Sequence, residues 1–234
     1  MSGNSYTAFN AMTDIITSPS KAYDEIKQNT SWLWWPLLIT MAVAAAVFVY
    51  YYGWVDFPWL VEETIRQTPV ERRAESADAI RSFMEPNKTM MFTILAIVVM
   101  SMVIYTIEAV YFLLANKLTT GSEIGFGQWF SFAVWSGFVS IFGSLAAFVV
   151  IMMADNNQLA SNDLQVLSLN SLLFHASPGE PWFTWANSLA LPQFWMMALS
   201  AIGYSRWTGA SMMKSAIIAL LPWVLIFGIW AITI

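Results

Sequence analysis

The chain predicts an all-α fold: a polytopic transmembrane helical bundle of about five spans, with an N-terminal amphipathic helix and an extramembrane helical loop. Long apolar runs recur along it, the cleanest at 32–54 and 127–153, where no residue carries a charge. Of the 234 residues, 58% are hydrophobic and 11% charged, whereas soluble domains carry about 25% charged residues. Aromatic residues also gather at the ends of the runs, where amphipathic rings favour the headgroup layer. A run of about 18 or more apolar residues crosses a hydrocarbon core about 30 Å thick. Inside lipid each backbone amide must be satisfied within its own segment, so every run is predicted as a helix.

The predicted spans are about 32–54, 89–115, 127–153, 190–207 and 213–234. Residues 1–30 form a cytoplasmic or interfacial amphipathic segment, and 31–234 the five-span membrane domain. The first apolar run starts too late, and is too long, for a signal peptide. With a net charge of −5 and no basic stripe, the chain has no means of neutralising phosphates, which excludes nucleic acid as a partner. The absence of cysteine removes disulfides, thiolate metal sites and cysteine nucleophiles.

In the N-terminal segment Phe9, Met12 and Ile16 recur at helical spacing. Ser18-Pro19 then reads as the cap and first position of a second helix, with Ala22, Tyr23 and Ile26 on one face. Such a helix packs on the bundle or lies at the interface; the sharper alternative is a docking helix for a cytosolic protein partner.

The first span is fenced by Trp32, Trp34 and Trp35 at one end and by Tyr50, Tyr51, Tyr52 and Trp54 at the other. Trp129, Trp182, Trp185, Trp207 and Trp223 are assigned to the same interfacial belts. Between the first two spans, 57–88 is the extended charged stretch, delimited internally by Pro69 and Pro86. Leu60, Ile65, Val70, Ala77, Ile80 and Phe83 interleave with its charges, and Glu62 and Arg66 stand at pairing distance along a helix. It reads as an amphipathic helix outside the bilayer.

The second span contains the acid that stands inside an apolar run. Ser101, Tyr105 and Glu108 share one helical face. A carboxylate at mid-bilayer costs about 2.5–3.5 kcal/mol on insertion scales, so Glu108 needs a partner, a water path or a proton. Pairing with Arg206 or Lys214 is the structural expectation, and a proton- or ion-linked role the functional one. In the third span Ser136, Ser140 and Ser144, with Gly143 and Ala147, give the small-residue spacing that lets helices approach closely, within the bundle or between copies in a homo-oligomer.

Residues 155–191 hold no lysine or arginine; Pro178-Gly179-Glu180-Pro181 marks a turn, and Leu164, Leu167, Leu169 and Leu172 suggest a short interfacial helix. His175, without cysteines or a nearby acid pair, makes no metal site. Lys21, Lys27, Lys117, Arg206 and Lys214 fall on one side of the predicted bundle, which orients the N-terminus to the cytoplasm and the C-terminus outside.

Three stretches together resemble one family. They are Ile16-Thr17-Ser18-Pro19 through Tyr23-Asp24-Glu25-Ile26-Lys27 before a span containing Pro36; Lys117-Leu118-Thr119-Thr120-Gly121 leading to Phe126-Gly127-Gln128-Trp129-Phe130-Ser131; and Leu199 to Gly203 with Gly209 to Ala216 and Leu220-Leu221-Pro222-Trp223. That order is similar to the Yip1-domain family of integral membrane proteins, in its bacterial branch. Departures are Trp135-Ser136-Gly137, where members often carry a proline, and Asn187-Ser188-Leu189 before the fourth span. The resemblance implies a five-span protein of the bacterial inner membrane with a cytosolic N-terminus; eukaryotic relatives bind Rab GTPases in vesicle trafficking.

No Walker loop, Rossmann fingerprint, H-E-x-x-H or G-x-S-x-G is present, so no enzyme, catalytic residue or cofactor is expected. The predicted function is a non-catalytic membrane protein that organises the bilayer or scaffolds partner proteins. The alternative is a small ion, proton or solute channel or transporter using Glu108.

Overall fold

A computed structural model describes residues 6–234. The described residues are mostly helical, with no strand beyond an isolated antiparallel bridge between Ser168 and Ala190. The helices are α1 (Ala8–Thr17), α2 (Pro19–Gln28), α3 (Trp34–Trp54), α4 (Phe57–Gln67), α5 (Val70–Phe83), α6 (Pro86–Thr119), α7 (Phe126–Gly137), α8 (Ile141–Met153), α9 (Pro181–Asn187), α10 (Leu191–Thr208) and α11 (Met212–Ile232).

Among the described residues four segments are long and apolar enough to cross a membrane: Thr30–Trp54, Pro86–Thr119, Phe126–Met153 and Met212–Ile232. The all-α membrane bundle is therefore the observed fold. The predicted fourth span, α10, falls short of that standard. It has 18 residues, and Gln193, Ser200, Ser205 and Arg206 dilute its apolarity. At 34 residues and about 1.5 Å per residue, α6 is far longer than a 30 Å core requires. It begins at Pro86, whose missing amide hydrogen costs nothing at a helix start. Pro222 inside α11 is of a kind that membrane helices accommodate.

The chain divides into two compact units. The first comprises Met1–Met41, Met100–Ser140 and Gln193–Ile229. In it α1 starts on a reciprocal cap, Thr7 Oγ1 accepting from Asn10 N at 3.3 Å while Asn10 Oδ1 accepts from Thr7 N at 3.0 Å. Ser18 alone separates α1 from α2, and its amide closes α1 on Asp14 O at 2.7 Å. The buried face of α2 is Ala22, Tyr23 and Ile26, as predicted. The buried face of α1 is Ala8, Ala11, Met12 and Ile15 rather than the Phe9–Met12–Ile16 stripe. Phe9 is exposed and leans on Trp35 with ring centroids 5.1 Å apart.

Aromatic side chains make the centre of this unit. Trp129, Phe132, Tyr23, Tyr204 and Trp207 are all essentially buried. Trp129 and Trp207 are thus core residues, not members of an interfacial belt. Trp34 and Trp35, at the start of α3, remain exposed as a belt requires.

The second unit comprises Ala42–Val99, Ile141–Pro192 and Trp230–Ile234. Its core joins Val47, Tyr51 and Val55 to Phe57 and Leu60 of α4, Ala147 and Ile151 of α8, and Leu164. Tyr51 is buried, its hydroxyl donating to Leu159 O at 2.8 Å. The charged 57–88 stretch is two helices, broken at Thr68-Pro69, because a proline disfavours helical backbone in the residue before it. The expected Glu62–Arg66 pair does not form. Arg66 binds Glu63 instead, and Glu62 reaches across to Arg81 of α5 at 2.9 Å. Between Asp155 and Leu191 the predicted leucine helix is split into two short helical turns, Ser161–Leu164 and Asn170–Phe174, beside a short extended pairing, Leu169 N to Leu189 O at 2.6 Å and Leu191 N to Leu167 O at 2.9 Å.

The small-residue stripe does not make a packing seam. A 3-10 turn at Phe138–Ser140 separates α7 from α8. Ser136 is fully buried, but Ser140 is exposed and Ser144 half-buried. A side chain at Gly143 would meet open space. Close approach occurs at two other glycines. A methyl group on Gly137 would lie 2.6 Å from Tyr105 Cε1, and one on Gly203 would lie 2.6 Å from both Phe132 and Tyr23.

Those rings are locked in the core, so Gly203→Ala should destabilise the protein by about 1–3 kcal/mol. Gly143→Ala should leave the melting temperature unchanged or raised, alanine being the better helix former. Thermal melting of both variants in one detergent checks this; equal melting would contradict it.

Candidate functional site

The first unit concentrates its polar chemistry where α2, α6, α7 and α10 meet. Ser18 and Pro19 fix where α2 starts, and that register brings Tyr23 onto its buried face. The Tyr23 hydroxyl lies 2.7 Å from Ser136 Oγ. Ser136 itself donates to Phe132 O at 2.9 Å, a common back-bond for a helical serine, which leaves its oxygen to accept from Tyr23. The Trp207 indole donates to Tyr23 O at 2.8 Å. Lys27 Nζ donates to Trp207 O at 2.6 Å, near the α10 C-terminus, where a positive charge is favoured. Asp24 receives the Arg206 guanidinium through both carboxylate oxygens. So α2 is tied to α7 by one side chain and to α10 by three separate interactions.

The rings beneath these tethers pack in offset and edge-on pairs. Tyr23 to Phe132 is 5.3 Å between centroids, Phe132 to Trp207 5.2 Å, Phe112 to Phe132 4.9 Å and Trp129 to Tyr204 5.6 Å. Each such pair contributes about 0.5–1.5 kcal/mol beyond its area burial. Burial pushes the Tyr23 phenol well up, the Ser136 hydrogen bond opposing. Tyr23 therefore remains a neutral donor.

The end of α6 is fixed to the same cluster. Asn116, buried, donates to Ser122 O at 2.7 Å, and Gly121, at φ 65°, carries its amide back to Asn116 O at 2.8 Å. That left-handed position is one glycine adopts without strain. Thr119 Oγ1 meets the Tyr204 hydroxyl at 2.8 Å, and Lys214 Nζ donates to Thr119 O at 2.9 Å.

The sequence-predicted sites divide accordingly. Tyr105 is buried against Gly137, whereas Ser101 is half-buried on the same helix. Glu108 does not pair with Arg206 or Lys214. Arg206, in the last turn of α10, is taken by Asp24, and Lys214 is taken by a carbonyl at the end of α6, where unpaired carbonyls concentrate negative charge. Glu108 Oε2 is enclosed and has no hydrogen-bond partner among the described residues. Tyr23, Asp24 and Lys27 were legible as helix positions but not as site residues, since their partners lie far off in sequence. Among the described residues no group of three or more His, Cys, Asp or Glu side chains is placed to hold a metal.

A family model for the Yip1 domain matches residues 13–233, nearly the whole chain. The protein belongs to the Yip1 domain family. Comparison with curated proteins gives no match, and comparison with solved structures gives none. The match takes in the second half of α1 and all of α2, so the tethered helix α2 is part of the Yip1 domain rather than an appendage to it.

On the outer side of this pair Asp14 accepts from Tyr6 at 2.8 Å and faces Lys21 Nζ at 2.8 Å. The Lys21 ammonium, with the Tyr6 hydrogen bond, holds the Asp14 carboxyl below the usual carboxylate range. A depressed folded value means that this contact stabilises α1 against α2 above about pH 4 and is lost as pH falls through the folded value. The Lys21 end of the contact is exposed, so the effect should be modest and weakened by salt. Deuterium exchange in α1 should rise on acidification below about pH 4, and Asp14→Asn should remove that rise. A pH-independent wild type would contradict the assignment.

Proposed function

We propose that this Yip1-domain protein is a non-catalytic membrane platform that scaffolds a partner protein through the α1–α2 pair. The single observation that carries this reading is the tethering of α2. Tyr23, Asp24 and Lys27 fasten it to α7 and α10, while α1 and α2 keep Phe9, Asn10, Thr13, Thr17 and Ser20 exposed. A rigid pair with a solvated outer face is pre-organised for a partner, and pre-organisation lowers the ordering cost of binding.

In this reading the N-terminus lies in the cytoplasm. Lys27, Arg206 and Lys214 all act within the same cluster, and basic residues at the ends of spans mark the cytoplasmic side. In this reading α11 runs outward from Lys214 and the C-terminus lies outside, which requires the short α10 to cross as well. A bacterial inner membrane is the setting that the sequence resemblance supports. A homo-oligomer remains compatible with the exposed Ser140 face.

A second reading, a proton or ion path through Glu108, is favoured by its unpartnered Oε2. The two separate by experiment. A photocrosslinker at Thr13 should trap a defined cytoplasmic protein in native membranes, and one at Met213 should not. Reconstituted protein should show no flux that Glu108→Gln abolishes. Lipid adducts alone at Thr13, together with Glu108-dependent flux, would replace the platform with a transporter.

A further inference from the structure

Glu108 has surroundings that nothing in the platform reading uses. It sits in the apolar run of α6, with Lys117 further along the same helix. Its Oε2 is enclosed without a partner among the described residues. The bases of this cluster are engaged elsewhere: Lys27 on Trp207 O, Arg206 on Asp24 and Lys214 on Thr119 O. The titratable neighbours are neutral phenols, Tyr105 on α6 itself and Tyr23 from α2. No titratable residue occurs in α7, and none occurs in α3 between Trp34 and Met41. From α10 come Tyr204, bonded to Thr119, and Arg206, already paired. An unpaired carboxylate in apolar surroundings is costly, and a bound proton removes the charge without any partner.

We propose that Glu108 is a proton-binding site within the membrane-spanning bundle, and that its proton keeps the α1–α2 pair docked. The link is Tyr23. Its hydroxyl donates to Ser136, its carbonyl accepts from Trp207, and Ser136 adjoins Gly137, against which Tyr105 packs one helical turn from Glu108. A protonated Glu108 leaves the Tyr23–Ser136 bond alone. An ionised Glu108 places an uncompensated charge at that apolar junction, which draws water toward the Tyr23–Ser136 bond. Loss of the proton therefore weakens the one hydroxyl tether between α2 and α7. Proton uptake and release are the whole chemistry, with no other bond made or broken.

This deepens the platform reading by giving its docking element a control, yet its test needs no partner. Full-length protein in lipid nanodiscs is treated with dicyclohexylcarbodiimide, which attacks protonated carboxyls in apolar surroundings, and the adduct is located by mass spectrometry. A Glu108 adduct is expected, declining as pH is raised and absent from Glu108→Gln. In the same samples, deuterium exchange over 19–28, corrected for intrinsic rates, should rise several-fold across the pH range where labelling falls. That rise should vanish in Glu108→Gln and persist, shifted in pH, in Glu108→Asp, which also shows that position 108 tolerates change. No adduct at Glu108, or a pH-dependent loosening of α2 that survives in Glu108→Gln, overturns the proposal. Loss of the Thr13 crosslink with labelling and exchange intact would overturn only the platform reading.

Discussion

The insertion of Tyr23 between α7 and α10 is the contact on which the first unit depends. Its ring fills the space left by Gly203, its hydroxyl is used by Ser136 and its carbonyl by Trp207. These demands are mutually restrictive. A larger residue at 203 would push the ring out, and a shift of α2 along its axis would break both hydrogen bonds at once. Inside an apolar bundle, where water does not compete, such bonds specify one arrangement and leave alternatives unsatisfied. The Asp24–Arg206 and Lys27–Trp207 contacts then fix the same register from the solvated side.

Membrane helices have little hydrophobic reason to associate with one another, and close packing with a few polar contacts takes over. The first unit follows that rule, with stacked rings in place of a small-residue seam. The turn at Phe138–Ser140 explains the substitution. It interrupts the α-helix between Ser136 and Ser144, and the three serines differ in burial. Only Ser136, before the turn, is drawn into the buried cluster.

Much of the fold was legible because the bilayer constrains it so strongly. Apolar runs of sufficient length had to be helices, and Ser18-Pro19 had to start one. The positions of Ala22, Tyr23 and Ile26 followed from helical periodicity alone. Periodicity says which residues share a face, but not what that face meets. Trp129 and Trp207 look like belt residues in sequence and are core residues in the fold, since a tryptophan near a span end suits either place. Glu108 was visible as an anomaly, yet its pairing was not. Arg206 and Lys214 lie at a plausible depth, but Asp24 and the α6 carbonyl compete for them from elements far away in the chain.

The central claim is that the Tyr23–Ser136 bond couples α2 to the bundle, and a double-mutant cycle tests it most directly. Tyr23→Phe, Ser136→Ala and the double variant would be unfolded in the same detergent. A coupling energy of about 1 kcal/mol is predicted, as for a buried hydrogen bond. Strictly additive losses, or two single variants as stable as the parent, would contradict the account.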